Sequence, residues 1–112
     1  MRIEVKSQNE GVILHPDGKV IGDGASQFKT AMNNWLDSGV SWLIVDLAEV
    51  PLMDSSALGG VIATHLKLED KNGKLVLASA QKGILDVLAI TKLDSVFTVC
   101  DDLQAALDIV NS

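Results

Sequence analysis

The chain has 112 residues, 47% hydrophobic and 21% charged, with 9 Lys and Arg against 15 Asp and Glu for a formal net charge of -6. That length suits one domain around one core, and the acidic balance argues against nucleic acid or an anionic membrane and for a basic face on a protein partner. Aromatics make up 4% with no Tyr, too few for stacking platforms, and the single Cys100 can form neither an internal disulfide nor a cysteine metal cluster.

The N-terminal Met1-Arg2-Ile3-Glu4-Val5-Lys6 has no apolar signal region, and its alternation of polar and apolar residues predicts a half-buried edge strand. Asn9-Glu10-Gly11 is a turn signal before the apolar run Val12-Ile13-Leu14. Pro16-Asp17-Gly18 fits either a tight turn or a bulge in one long strand. Lys19-Val20-Ile21-Gly22-Asp23-Gly24 then leads into a helix over 25–38, with Ala25, Phe28, Met32, Trp35 and Leu36 at helical spacing and Gly39 ending it. Trp42-Leu43-Ile44-Val45 reads as a central strand apolar on both faces.

A second helix is expected over 55–70, with Leu58, Val61, Ile62 and Leu66 on its apolar stripe beside His65 or Glu69. Lys71-Asn72-Gly73-Lys74 breaks it, and Leu75-Val76-Leu77-Ala78 is another buried strand. A short helix over 82–90, a short strand over 96–99 and a final helix over 101–110 complete the chain. The last helix presents Leu103, Ala106, Leu107 and Val110 on one side, and its acidic first turn suits the helix dipole. Strands alternating with helices indicate an α/β fold occupying 1–112 as one domain. No apolar run approaches the ~20 residues of a membrane span, so the expected location is the cytoplasm.

The most informative segment is Ile44 to Ile62, where a buried strand leads through a loop to Asp54-Ser55-Ser56 and a helix opened by small residues. Ser55 is thereby set at a helix N-terminus, where free N–H groups and the positive end of the dipole favour an anion. Asp54 suits the N-cap. Gly59 and Gly60 lie inside that helix at a cost of roughly 1 kcal/mol each relative to Ala. Close packing within the fold or the approach of another molecule must compensate.

Catalytic readings find little support. Ser55 lacks the Gly-x-Ser-x-Gly frame of a hydrolase, because Met53 and Ala57 flank it. His65 would lie about 15 Å along the same helix, out of reach, and reads with His15 as a partly exposed structural residue. With two His and one Cys there is no metal-ligand cluster, and no cofactor is expected. Gly22-Asp23-Gly24 begins like a dinucleotide fingerprint but lacks the third glycine, so turn glycines before a helix are the simpler reading. Asp46 through Asp54 faintly echoes a receiver-domain phosphoacceptor loop, without the acidic pair or late lysine such a site requires.

Leu43-Ile44-Val45-Asp46-Leu47 through Met53-Asp54-Ser55-Ser56-Ala57-Leu58-Gly59 resembles the STAS family, the domain of bacterial anti-sigma-factor antagonists and sulfate-transporter tails. Gly18–Gly22, Gly73–Leu77, Ile90–Leu93 with Val96-Phe97, and Asp101–Leu107 extend the likeness over nearly the whole chain. The resemblance implies a mixed four- to five-stranded sheet with helices packed mainly on one side. It also implies a non-enzymatic switch, in which Ser55 is phosphorylated by a partner that is both anti-sigma factor and serine protein kinase. The unphosphorylated form would bind that partner and release sigma factor, and a PP2C-type phosphatase would reset it. Gly22, Asp23, Gly24, Asp54, Ser55, Ser56 and Ala57 would form the docking face; Ala57 stands where the family usually has glycine. A second role open to such a domain is a subunit of a stressosome-like scaffold or a lipid-transport ATPase complex, without regulatory phosphorylation.

Overall fold

Five consecutive residues, Trp42–Asp46, are buried without exception and form strand β3 at the centre of the sheet. Such a run requires cover on both faces, and the computed structural model, which describes residues 1–112, supplies it. β1 (Arg2–Gln8) and β2 (Gly11–Asp17) form an antiparallel hairpin, and β2, β3, β4 (Lys74–Ala78) and β5 (Thr98–Cys100) run parallel, in the spatial order β1-β2-β3-β4-β5. Crossovers α1 (Asp23–Asp37), α2 (Ser55–Asp70) and α3 (Lys82–Ile90) connect the parallel strands, and α4 (Leu103–Val110) ends the chain.

The period of two along each strand divides the core. Val12, Leu14, Leu43, Val45, Leu75 and Leu77 meet Phe28, Met32 and Leu36 of α1, Val61 and Leu68 of α2, and Ile84 and Leu88 of α3. The alternate residues Ile13, Trp42, Ile44, Val76, Ala78 and Cys100 form a second cluster, covered by α4 through Ala106 with Leu103, Leu107 and Val110 at its margin. Three of the four helices thus lie on one face of a mixed five-stranded sheet, the α/β arrangement that the resemblance implies.

Several local expectations are corrected. Pro16 makes neither a tight turn nor a bulge: β2 runs straight through it, pairing Ile3 with Pro16 and Arg2 with Asp17, and the chain only bends at Gly18, at φ 104. On α2 the buried residues are Ala57, Val61, Thr64 and Leu68, so the stripe is rotated from the expected one and Leu66 stays 54% exposed. Thr64 tolerates burial because its hydroxyl donates to the Gly60 carbonyl at 2.8 Å. The strand expected over 96–99 starts two residues later. Lys92 takes a left-handed conformation, a 3-10 turn follows over Leu93–Ser95, and the Phe97 N–H still bonds back to Leu93 at 3.0 Å. Asp101 lies outside α4, whose cap is Asp102, accepting from the Ala105 N–H at 2.8 Å.

Candidate functional site

The loop from β3 to α2 is held at several points. Leu47 and Val50 are fully buried; the Leu47 N–H donates to Ala78 at 2.8 Å, and the Gln81 side chain donates to the Ala48 carbonyl at 2.9 Å. On its other flank it pairs with the β2–α1 connection. Gly18 N–H donates to Glu49 at 2.8 Å, Val20 N–H to Leu52 at 3.0 Å and Asp54 N–H to Val20 at 3.1 Å, forming a short parallel bridge between Val20 and Met53. Buried backbone groups in an irregular loop need such partners, and here they bring two loops edge to edge at the C-terminal end of the parallel strands.

Asp54 joins them through its side chain. One carboxylate oxygen accepts the Ala57 N–H at 2.8 Å and caps α2; the other accepts the Gly22 N–H at 2.9 Å and so holds the start of α1. These two donors, Ala57 foremost, hold the Asp54 carboxyl below its ordinary value of 3.8, with the charge of Lys29 adding to them and partial burial opposing. Gly22 sits at φ 54 and ψ -125, a conformation in which a Cβ is strained. The glycine at this position is therefore a requirement of presenting its N–H to Asp54.

Ser55 is the first residue of α2 and is exposed. Ser56 is exposed as well, but its hydroxyl accepts from the Lys29 ammonium at 2.6 Å. Asp23 is exposed at the start of α1, and Gly24 packs near Met1 and the Lys19 carbonyl. Ala57 is fully buried beneath the site and reaches it only through its N–H. Of the residues singled out from sequence, Gly22 and Ala57 are thus joined through the Asp54 carboxylate, with Ser55 and Ser56 exposed beside them. Lys29 is the member that sequence reading missed. It is one lysine on a helix face, and nothing in its spacing marks it, because its partner lies 27 positions away.

The two helix glycines have different neighbours. A Cβ on Gly60 would run into the stem of Lys29, 2.7 Å from its Cδ and 3.5 Å from Met32 Cε, so Gly60 is what lets α1 and α2 approach. A Cβ on Gly59 would meet nothing within 4 Å. Gly59 lies one turn beyond Ser55 and on the same exposed face. Beside this face Leu52, Met53 and Leu58 border a shallow apolar cleft against Ile84 and Val87 of α3.

The histidines stand apart from Ser55. His15 shares a hydrogen bond of 3.0 Å with the buried Asp46, whose other oxygen accepts the Ala48 N–H at 3.2 Å. His65 is largely buried, edge-on to Phe97 at 5.4 Å and 3.6 Å from Glu69.

Topology and site together define an α/β domain that displays a serine at a helix N-terminus over a rigid aspartate clamp. The chain belongs to the STAS domain family, whose pattern matches residues 2–106. It is 28% identical over 100 residues, 88% of each chain, to a Thermotoga neapolitana protein named among the anti-sigma factor antagonists. A crystal structure of a protein from Thermotoga maritima, named likewise, has TM-score 0.91 at 24% identity, covering 98% of this chain and 95% of that one. The anti-sigma factor antagonist SpoIIAA is similar in fold both in its unphosphorylated form and, from Bacillus, in its phosphorylated form, with TM-scores of 0.77 and 0.78 at 19% identity. Coverage is 99% of both chains for the first form, and 97% of this chain and 99% of the other for the second. No helix is long and apolar enough to cross a membrane.

Proposed function

We propose that this chain is a non-catalytic anti-sigma factor antagonist switched by phosphorylation of Ser55. The observation that carries the reading is the exposed Ser55 hydroxyl at the first position of α2, with Asp54 and Gly22 fixing the ground beneath it. Unphosphorylated, the face formed by Gly22, Asp23, Gly24, Asp54, Ser55 and Ser56 would dock a partner that is both anti-sigma factor and serine protein kinase, releasing the sigma factor. Gly59 supports the reading: its cost to the helix has no compensation inside the chain, and a bare backbone one turn from Ser55 lets a partner come close. Phosphorylation adds about −1.5 to −2 charge at pH 7 beside an ionised Asp54. Inside a desolvated interface such like charges cost several kcal/mol, enough to change affinity by orders of magnitude. A PP2C-type phosphatase would restore the binding form.

Phosphosite mapping by mass spectrometry on the protein from its own cells, before and after PP2C-type phosphatase treatment, tests the reading. A single reversible phosphate on Ser55 is the expected result. Ser55 bare under several growth conditions would overturn the switch and transfer the reading to a constitutive subunit of a larger assembly. A phosphate on Ser56 would keep the mechanism and move the acceptor by one residue.

A further inference from the structure

β1 is the outer strand of the sheet and pairs only with β2. The hairpin reverses through two residues, Asn9 and Glu10, between the paired Gln8 and Gly11. In such a turn the flanking residues form a hydrogen-bonded pair. Strand alternation then directs the backbone of Gln8, Lys6 and Glu4 toward β2 and turns the N–H and C=O of Ser7, Val5 and Ile3 to the open edge. Pro16, which has no N–H, stands opposite Ile3, a position that needs no donor toward β1. An open edge of this length is a template for another strand.

We infer that β1 pairs antiparallel with β1 of a second copy of this chain, on a two-fold axis through Val5. In that register Val5 lies opposite Val5 of the second copy, Ile3 opposite Ser7, and Arg2 opposite Gln8, so all seven residues of the strand are paired. Glu4, which already accepts from Arg2 of its own strand at 2.8 Å, then lies opposite Lys6 of the second copy, and symmetry makes this ion pair twice. Both fall at non-hydrogen-bonded positions, where side chains approach most closely and opposite charges stabilise the pair. Sliding by two residues sets Glu4 against Glu4 and Arg2 against Lys6, or Lys6 against Lys6. A slide of one residue turns the inward-bonding residues to the edge and leaves no ladder. A slide of four also opposes Arg2 and Glu4 but pairs only Arg2–Glu4 of the strand, so the register on Val5 is the one that is complementary in charge while pairing the whole ladder. It also covers Val5, a 47% exposed aliphatic on the edge.

Charges on an edge strand commonly keep strands of other molecules away. In β1 their alternation of sign does the reverse for a strand of complementary charge order, and an identical antiparallel strand supplies that order. That locality matters in a chain of net charge -6, where general repulsion opposes self-association. The result is an isologous dimer in which two sheets join edge to edge. Ser55 itself lies on α2, outside this edge.

Sedimentation velocity over a dilution series at low salt, on the full chain, is the test. The wild-type chain is expected to dimerise reversibly. Glu4→Lys and Lys6→Glu should each weaken dimerisation about tenfold or more, since each turns two attractive pairs into repulsive ones, and the double variant Glu4→Lys/Lys6→Glu should restore it. Both side chains are exposed, and far-ultraviolet circular dichroism confirms that each variant is folded. A monomer at every concentration overturns the inference. So does a dimer indifferent to the single reversals, or a double swap that fails to restore it.

Discussion

Adjacent glycines in one helix should respond oppositely to the same substitution. Glycine inside a helix is less favourable than alanine by about 1 kcal/mol. At Gly59 the added Cβ meets nothing within 4 Å, so Gly59→Ala should realise that gain in full and raise the melting temperature by about 4 °C for a domain of this size. At Gly60 the same methyl collides with the stem of Lys29. Either α1 and α2 move apart or Lys29 swings away and gives up its 2.6 Å bond to Ser56. Such overpacking costs about 1–3 kcal/mol, which offsets the propensity gain and leaves Gly60→Ala neutral to about 2 kcal/mol less stable than wild type. Thermal unfolding of the two variants, followed by circular dichroism, should separate them by at least about 4 °C. Equal stabilisation by both would refute the close approach of α1 and α2. If Gly59 is the point where a partner comes close to Ser55, Gly59→Ala will be the more stable protein and the weaker binder, a combination that a purely structural glycine cannot give.

Other substitutions probe the clamp, the core and the site. The Asp54 carboxyl is held below its ordinary 3.8, chiefly by the Ala57 and Gly22 N–H groups, so its ionised form stabilises the fold at all pH above that value and the contribution fades as pH falls through the lowered one. Wild type should therefore unfold at higher urea than Asp54→Asn at neutral pH, and the gap should close on acidification below pH ~3.8; a gap that widens in acid would refute the sign. Phe28 is fully buried between α1 and the sheet, and Phe28→Ala should cost about 3–5 kcal/mol in equilibrium denaturation. Trp42 lies across the bare backbone of Gly11, so Gly11→Ala should displace the indole at a cost of about 1–3 kcal/mol and shift the tryptophan emission. Ser55→Glu places a negative charge at the first position of α2, where the dipole is favourable by about 0.3–1 kcal/mol; melting should be unchanged or slightly raised while partner binding is lost.

Where the chain's own local chemistry decides structure, the sequence was legible. Helix α2 spans Ser55–Asp70 as read, because Asp54 caps it and Asn72, at φ 61, together with Gly73 breaks it. Helix α3 likewise begins and ends where its pattern does. The errors arise where tertiary contacts outweigh local pattern. Val96 and Phe97 have the residue types of a strand, yet the left-handed Lys92 and the 3-10 turn keep them out of the ladder. Leu66 is apolar at a plausible spacing, but the sheet meets the face bearing Thr64 and Leu68 instead. At the site, Asp54 and Ser55 were visible as a cap and a first-turn serine. The bond from Gly22 to Asp54 spans 32 positions, and only the pairing of two loops brings its ends together.

That long-range bond bears on how a switch could work in this fold. A phosphate can change binding by reshaping a protein or by changing the charge it displays. Around Ser55 the backbone is fixed from both sides: Asp54 is bonded to α1 and α2 at once, and its own N–H is committed to Val20. The loop before it rests on the buried Leu47 and Val50. Ser55 is outside this web and contributes only its exposed first-turn position, next to N–H groups that tolerate an anion. A charge placed there finds no loose segment to order or melt. The geometry therefore favours a switch read directly by the partner as charge on a fixed face, in which a phosphate on Ser55 would cost the fold little and the complex much.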